Sequence, residues 1–186
     1  MTMIPQMIRY ASRMHHGQKR KKNGRPYFRD HCLGLLEDIC NDRFLGDDEE
    51  AHLIILGHDI VEDCTLDDTD EQRAPLYEDI AETFGHEVEL GIAELTNRFS
   101  KKRYPRMNRR TRKSYELKRL ANISDRGKIL KLYDRRANLR DMIEAKDFRI
   151  GYAQESWELG YTLSTAENSY IAVQVMALCA EIRDNA

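Results

Sequence analysis

Long apolar runs are missing from this sequence. None approaches the ~20 residues that a membrane-spanning helix requires, so no membrane partner is expected. The opening MTMIPQMIRY lacks the charged-then-apolar order of a secretory leader, which points to a cytosolic, cytoplasmic protein. Cysteine is scarce: Cys32, Cys40, Cys64 and Cys179 show neither C-x-x-C spacing nor a paired framework. That argues against a structural zinc site and a disulfide scaffold, and leaves reduced thiols packed in helices. Neither sign of charge dominates, with 30 Lys and Arg against 32 Asp and Glu. The apolar–polar alternation of half-buried strands is almost absent.

Helical periodicity is what remains. Met7, Ala11 and Met14 trace a first helix ending near Gly17, and Asp30 is read as the cap of a second, with Leu33, Leu36, Ile39 and Cys40 on its apolar face. A third helix is expected from about Asp48 to Asp63. Residues 76–84 and 86–97 suggest two helices broken at Phe84-Gly85, with Pro75 in a first turn. Further helices are expected at about 107–121 and 127–145. Ser164-x-x-Glu167 has capping-box spacing ahead of a last helix through Val173, Met176, Ala177 and Ala180. The fold class is therefore all-α, a compact helical bundle forming one domain over 1–186, with 146–186 completing the core. Trp157, Tyr161 and Tyr170 in that last stretch are read as packing residues.

The sharpest local feature is GHDIVEDC, residues 57–64. It follows Leu53, Ile54, Ile55 and Leu56, so its helix is read as buried. His58 and Glu62 are four apart, as are Asp59 and Asp63, which puts all four on adjoining stripes of one helical face. Three carboxylates and an imidazole in apolar surroundings repel or desolvate one another unless a positive charge sits among them. A divalent ion resolves the conflict, since imidazole nitrogen and carboxylate oxygen suit a hard or borderline metal. The alternative is a solvated acidic helix end, against which the apolar run argues.

Other stretches are weaker taken singly. In KLYDRRANLRD, residues 131–141, Asp134, Asn138 and Asp141 form a polar stripe, and Asp134 is either a salt-bridge partner or a ligand. QKRKKNGRPYFRDHC, residues 18–32, ends in His31 at the first turn of a helix after a run of basic residues. KKRYPRMNRRTRK, residues 101–113, holds eight Lys or Arg and no acid. The two basic stretches concentrate positive field in a nearly neutral chain and suit a polyanion such as a nucleotide polyphosphate or RNA. Tyr27, Phe28 and Tyr104 give them little aromatic interleaving, so nucleic acid is not the expected partner. His15, His16, His52 and His86 are read as structural or exposed. Asp67, Asp68, Asp70 and Glu71 lack the spacing and glycine of an EF-hand and are read as a solvated loop.

The order of these motifs resembles the HD-type hydrolase domain of the RelA/SpoT family. The resemblance runs collinearly through H-x-G-Q-x-R-K (His15 to Lys21), G-x-P-Y (Gly24 to Tyr27), His31, H-D-x-x-E-D (His58 to Asp63), F-G-x-x-V (Phe84 to Val88), Leu95-Thr96 and K-L-x-D-x-x-x-N (Lys131 to Asn138). It covers about residues 5–145, and nothing matches that family's synthetase or regulatory domains. It implies a stand-alone small alarmone hydrolase that removes the 3′-pyrophosphate from ppGpp and pppGpp. It also implies one Mn²⁺ held by His31, His58, Asp59 and Asp134, with Glu62 and Asp63 orienting and deprotonating the attacking water. Arg20 and Lys21 match the base- and phosphate-facing pair, Asn138 the nucleoside-facing position, and Lys131 the helix approaching the site.

Departures from the family pattern bear on base recognition. Three residues, not the usual two, separate Tyr27 from His31. Cys32 stands for a proline, Ala137 for a histidine and Asp141 for a threonine. We further expect Arg109 and Arg112 to hold the substrate's additional phosphates. The alternatives are the same site acting on another nucleotide (an adenine alarmone, NADPH at its 2′-phosphate, or a nucleoside 5′-phosphate), and a non-catalytic nucleotide- or RNA-binding protein. Homo-oligomerisation is left open.

Overall fold

The computed structural model describes residues 2–21 and 23–186. Among them the chain is all-α, its single β-type contact being an isolated bridge between Lys19 and Pro26. The order is α1 (Ile4–Met14), a wide π-helical turn (Phe28–Cys32), α2 (Leu33–Cys40), α3 (Glu49–Gly57), α4 (Ile60–Asp63), α5 (Asp70–Phe84), α6 (His86–Leu95), α7 (Arg109–Leu120), α8 (Asp125–Glu144), α9 (Ile150–Leu163) and α10 (Ser169–Asp184). No described helix is long and apolar enough to cross a membrane.

Two helices form the centre. Every residue of α3 from Ala51 to Gly57 is buried, and α1, α2, α6 and α8 pack around it. α8 buries Leu130, Leu132, Tyr133 and Leu139 and carries α9 and α10 on its other side. These side chains belong to one contiguous apolar cluster, each large one contributing about 1.5–3 kcal/mol relative to exposure. α3 and α6 approach closely because residue 91 is glycine; a Cβ there would strike Ile54. Side-chain oxygens of Asp48, Asn108 and Ser124 cap α3, α7 and α8 by accepting from the N–H groups of Ala51, Thr111 and Gly127.

Several local expectations are corrected. Asp30 caps nothing; it lies inside the π-helical turn that runs straight into α2. Cys40 is exposed, and Leu35 joins Ile39 in the core. The third helix breaks at His58–Asp59, where Asp59 starts the short α4. Pro75 is inside α5, which starts earlier because Thr69 accepts from the N–H of Gln72 and the Gln72 side chain accepts from Asp67 N–H. Asp68 is not solvated: it is buried, ion-paired to Arg73 and bonded to the Ser100 hydroxyl. Ser164 ends α9, a helix the periodicity had not separated, and Asn168 precedes α10. The buried face of α10 is Ile171, Ala172, Val175, Cys179 and Ile182, leaving Val173 59% exposed. Trp157 and Tyr161 are exposed and stack on each other, 5.6 Å between centroids.

Candidate active site

Three segments converge beside the α3–α4 break. His58 closes α3, and its Nδ1–H donates to the Ile55 carbonyl at 2.7 Å. That bond places the proton of the neutral ring on Nδ1 and turns Nε2 inward, where it carries a second proton or faces a metal ion. The break turns Asp59 toward the same point. His31 arrives on the π-helical turn, which closes with the Leu33 N–H donating to the Phe28 carbonyl, five residues back. This wider turn takes up the additional residue between Tyr27 and His31. Asp134 comes from the middle of α8, and Asn138, one turn on, donates to its Oδ1 at 2.6 Å.

The side-chain tips are too close to be accidental. His58 Nε2 is 2.8 Å from Asp59 Oδ2, His31 Nε2 is 3.4 Å from Asp134 Oδ1, and the crossed separations are 3.8 and 3.9 Å. Ligand atoms of His31, His58 and Asp134 all lie within 4.8 Å of one another. Yet Nε2 of both rings is buried without an aligned hydrogen-bond partner. Donors about 2.1 Å from one six-coordinate ion stand ~3 Å apart when adjacent and ~4 Å when opposite. The four residues therefore fit a divalent cation, with the orphaned imidazole nitrogens as the sign of it.

The surroundings support the same oxygens. The Tyr27 hydroxyl donates to Asp59 Oδ2, and Lys131 Nζ lies 3.1 Å from Asp134 Oδ2. The rings of His15, Tyr27, His31 and His58 follow one another at 5.1–5.3 Å. His15, read as structural or exposed, is buried and held by Gln18 at 2.8 Å. Burial would lower the His58 imidazolium's pKa, but Asp59 and Asp134 push it up to about 9. Burial would raise Asp59, yet His58 beside it holds the carboxylate well below its usual range. Asp134 is likewise depressed against its burial, chiefly by Lys131. The cluster thus demands a positive charge, a proton or a metal ion.

Glu62 and Asp63 lie next along α4. Burial and then Asp59 raise both; Asp63 is pushed up to about 7 by burial, Asp59 and Glu62. Glu62 Oε2 accepts from the N–H of Asn97 at 3.1 Å, which fixes its direction. Both line a cavity of about 980 Å³, together with Asp59 and Asp134.

Arg20, Lys21, Lys131 and Asn138 line that cavity too. Arg20 and Lys21 ride a hairpin closed by Arg20 N–H to Arg25 O and Tyr27 N–H to Gln18 O, whose turn needs Gly24 at φ +70°. The Arg20 guanidinium pairs with Asp141 and donates to Asn138 at 3.2 Å. Asp141 therefore does not present a bare charge to an incoming phosphate. Arg109 and Arg112 are not among the cavity residues: Arg109 pairs with Glu155 at 2.6 Å, and Arg112 folds onto the Met107 carbonyl. The cations that do line the far wall are Lys113, Arg135 and Arg149, with Tyr152. Lys113 and Arg135 have no carboxylate within ion-pair distance among the described residues, and Arg135 Nε is buried without a partner. Burial lowers the Lys113 pKa. Nothing in the sequence separated these cations from the other basic residues, because pairing is decided in space.

Two histidines and two aspartates thus meet in an all-helical frame, the aspartates at the cavity wall. No family model matches the sequence. Among individual proteins, the chain is similar to the guanosine-3′,5′-bis(diphosphate) 3′-pyrophosphohydrolase MESH1 of Xenopus tropicalis. The two are 26% identical over 140 residues, covering 75% of this chain and 69% of that one. Its fold matches a solved structure described as a metazoan ortholog of SpoT that hydrolyzes ppGpp and plays a role in starvation responses. The TM-score is 0.72 at 23% identity, over 96% of this chain and 94% of the other. The likeness therefore extends beyond the motifs to nearly the whole fold.

Proposed function

We propose that the protein is a Mn²⁺-dependent hydrolase that converts ppGpp and pppGpp to GDP and GTP, releasing pyrophosphate. The observation that carries this reading is the convergence of His31, His58, Asp59 and Asp134, with both Nε2 atoms lacking an aligned hydrogen-bond partner, beside a cavity that the two aspartates line and whose opposite wall is cationic. Those four residues would hold the ion, which when bound lowers the pKa of a water and screens phosphate charge. Asp63 takes the proton from the attacking water, and Glu62, held by Asn97, orients it. Water oxygen bonds to the phosphorus attached at O3′, the P–O3′ bond breaks, and O3′ leaves as a hydroxyl by taking up the proton that Asp63 removed from the water. Lys131 faces the departing charge from beside Asp134. Arg20 and Asn138 hold the nucleoside end, with Lys21 at the rim. Lys113, Arg135 and Arg149 hold the 5′-phosphates. Arg109 acts through Glu155, and Arg112 through the loop carbonyl it clamps.

The test is product identification by chromatography with ppGpp, its adenine analogue, NADPH and deoxynucleotides supplied separately. Release of GDP and pyrophosphate from ppGpp, abolished by EDTA and by Asp59→Ala, supports the proposal. Cleavage of another nucleotide alone moves the substrate, and no cleavage by metal-loaded protein rejects the enzyme.

A further inference from the structure

α7 has a second face that the cavity does not use. Lys113, Glu116, Leu117 and Leu120 line the cavity, whereas Arg110, Ser114, Tyr115 and Lys118 are exposed on the opposite side. The loop leading into α7 adds Arg98, Lys101, Tyr104 and Arg106, also exposed. From Arg98 to Arg119 there are eleven Lys or Arg against one acid, Glu116, although the whole chain carries a net charge of −2. Arg103, Arg109 and Arg119 spend their charge on Asp70, Glu155 and Glu116. Arg98, Lys101, Arg106, Arg110 and Lys118 have no ion-pair partner among the described residues.

Aromatic rings are set among these cations. Phe99 stacks with both Tyr104 and Tyr115, at interplanar angles of 23° and 27° and centroids 5.4 Å apart in each pair. Tyr104 and Tyr115 are 36% and 45% exposed, so the cluster presents aromatic surface to solvent. A charged loop needs no such stack. Stacked rings flanked by unpaired cations match a strand whose bases are unstacked from each other and whose phosphates run alongside. A duplex keeps its base faces covered and cannot use the rings.

We propose that this face, the outer side of the 98–108 loop and α7, binds a single-stranded polynucleotide independently of the nucleotide cavity. The experiment is fluorescence anisotropy of the full chain with a labelled single-stranded oligonucleotide, as RNA and as DNA. The same sequence as a duplex and heparin serve as competitors. Saturable binding is expected at about 50 mM salt, with log K falling against log salt at a slope near −3 for four or five phosphates. Arg110→Glu with Lys118→Glu should flatten that slope by roughly 1.4 and weaken binding at least tenfold. Tyr104→Ala and Tyr115→Ala should each weaken it about tenfold without changing the slope, and Tyr115→Phe should not. Nucleotide hydrolysis should be unaffected by all of these, which confirms their folding. Absence of binding, equal competition by duplex or heparin, or tyrosine variants that bind like the wild type would each overturn the proposal.

Discussion

Two carboxylates of this protein, buried Asp42 and half-buried Asp59, have opposite surroundings. Asp42 accepts from the N–H groups of Phe44 and Leu45 at 2.7 and 3.0 Å, from the Tyr133 hydroxyl at 2.6 Å, and from that of Tyr170. Both of its oxygens are saturated by the chain itself. Asp59 instead faces an imidazole nitrogen that lacks an aligned partner and lies near a second carboxylate, Asp134. The first arrangement is complete without any ligand and knits the 41–48 turn to α8 and α10. The second is complete only when something positive arrives. Burial alone does not mark function; an unmet valence inside the burial does.

Exchanging the roles of the two clusters should separate activity from stability. Asp59→Ala should cut kcat by roughly 10³-fold or more. Its melting temperature in chelator should fall, because His58 and the Tyr27 hydroxyl lose a partner, but by less than that of Asp42→Ala. A fall as large as that of Asp42→Ala would make Asp59 structural.

Asp42→Ala should do the reverse, costing about 3 kcal/mol as two buried hydroxyls and two N–H groups lose their acceptor. Differential scanning should show this as a Tm lower by roughly 6–12 °C, with kcat of the folded protein unchanged. Burial would raise the Asp42 pKa, but the hydrogen bonds from Tyr133, Tyr170, Phe44 and Leu45 outweigh it and depress the pKa. A depressed pKa gives stability that is present above the unfolded value near 4 and is lost as pH falls through the folded one. The wild type should therefore lose stability more steeply below about pH 4 than Asp42→Asn.

Metal addition sharpens the same contrast. Saturating Mn²⁺ at 100 times its Kd should stabilise the wild type by about 2.7 kcal/mol, and should equally stabilise Asp42→Asn. His31→Ala should show no comparable shift. Lys113→Ala should raise KM for ppGpp about tenfold with little change in kcat, the loss of one charge-assisted contact. An unchanged KM would remove Lys113 from the phosphate wall. The smallest effect is expected at Asn168, whose amide accepts from Thr165 N–H and donates to the Leu163 carbonyl between α9 and α10. Asn168→Ala should cost about 1–2 kcal/mol and leave both kinetic parameters alone.

What could be read in advance follows from chain distance. His58, Asp59, Glu62 and Asp63 are neighbours in sequence, and the apolar run before them announces burial. Asp134 and His31 became readable as ligands only through the family's order of motifs, because each alone looks like a salt-bridge or capping residue. The π-helical turn was hidden because FRDHC spells no pattern that distinguishes it from an ordinary first turn. α9 was missed for a different reason. Its sequence IGYAQESWELGYTL contains two glycines and puts Trp157 and Tyr161 toward water, blurring the apolar stripe. Lys113 and Arg135 could not be told from Arg109, since each is a cation in a basic run and only the fold decides which one finds a carboxylate.

The turn that carries His31 also bears on how such a chain tolerates changes of length. One residue added to a regular helix rotates everything beyond it by about 100° and advances it by 1.5 Å. Inserted ahead of α2 without compensation, it would swing Leu35 and Ile39 out of the core. Closing a single turn with a five-residue hydrogen bond absorbs the added residue locally, so the phase of α2 is preserved. An insertion at this point is thus nearly silent to the rest of the molecule. His31 and the core helix behind it can stay in place while the segment leading into them lengthens.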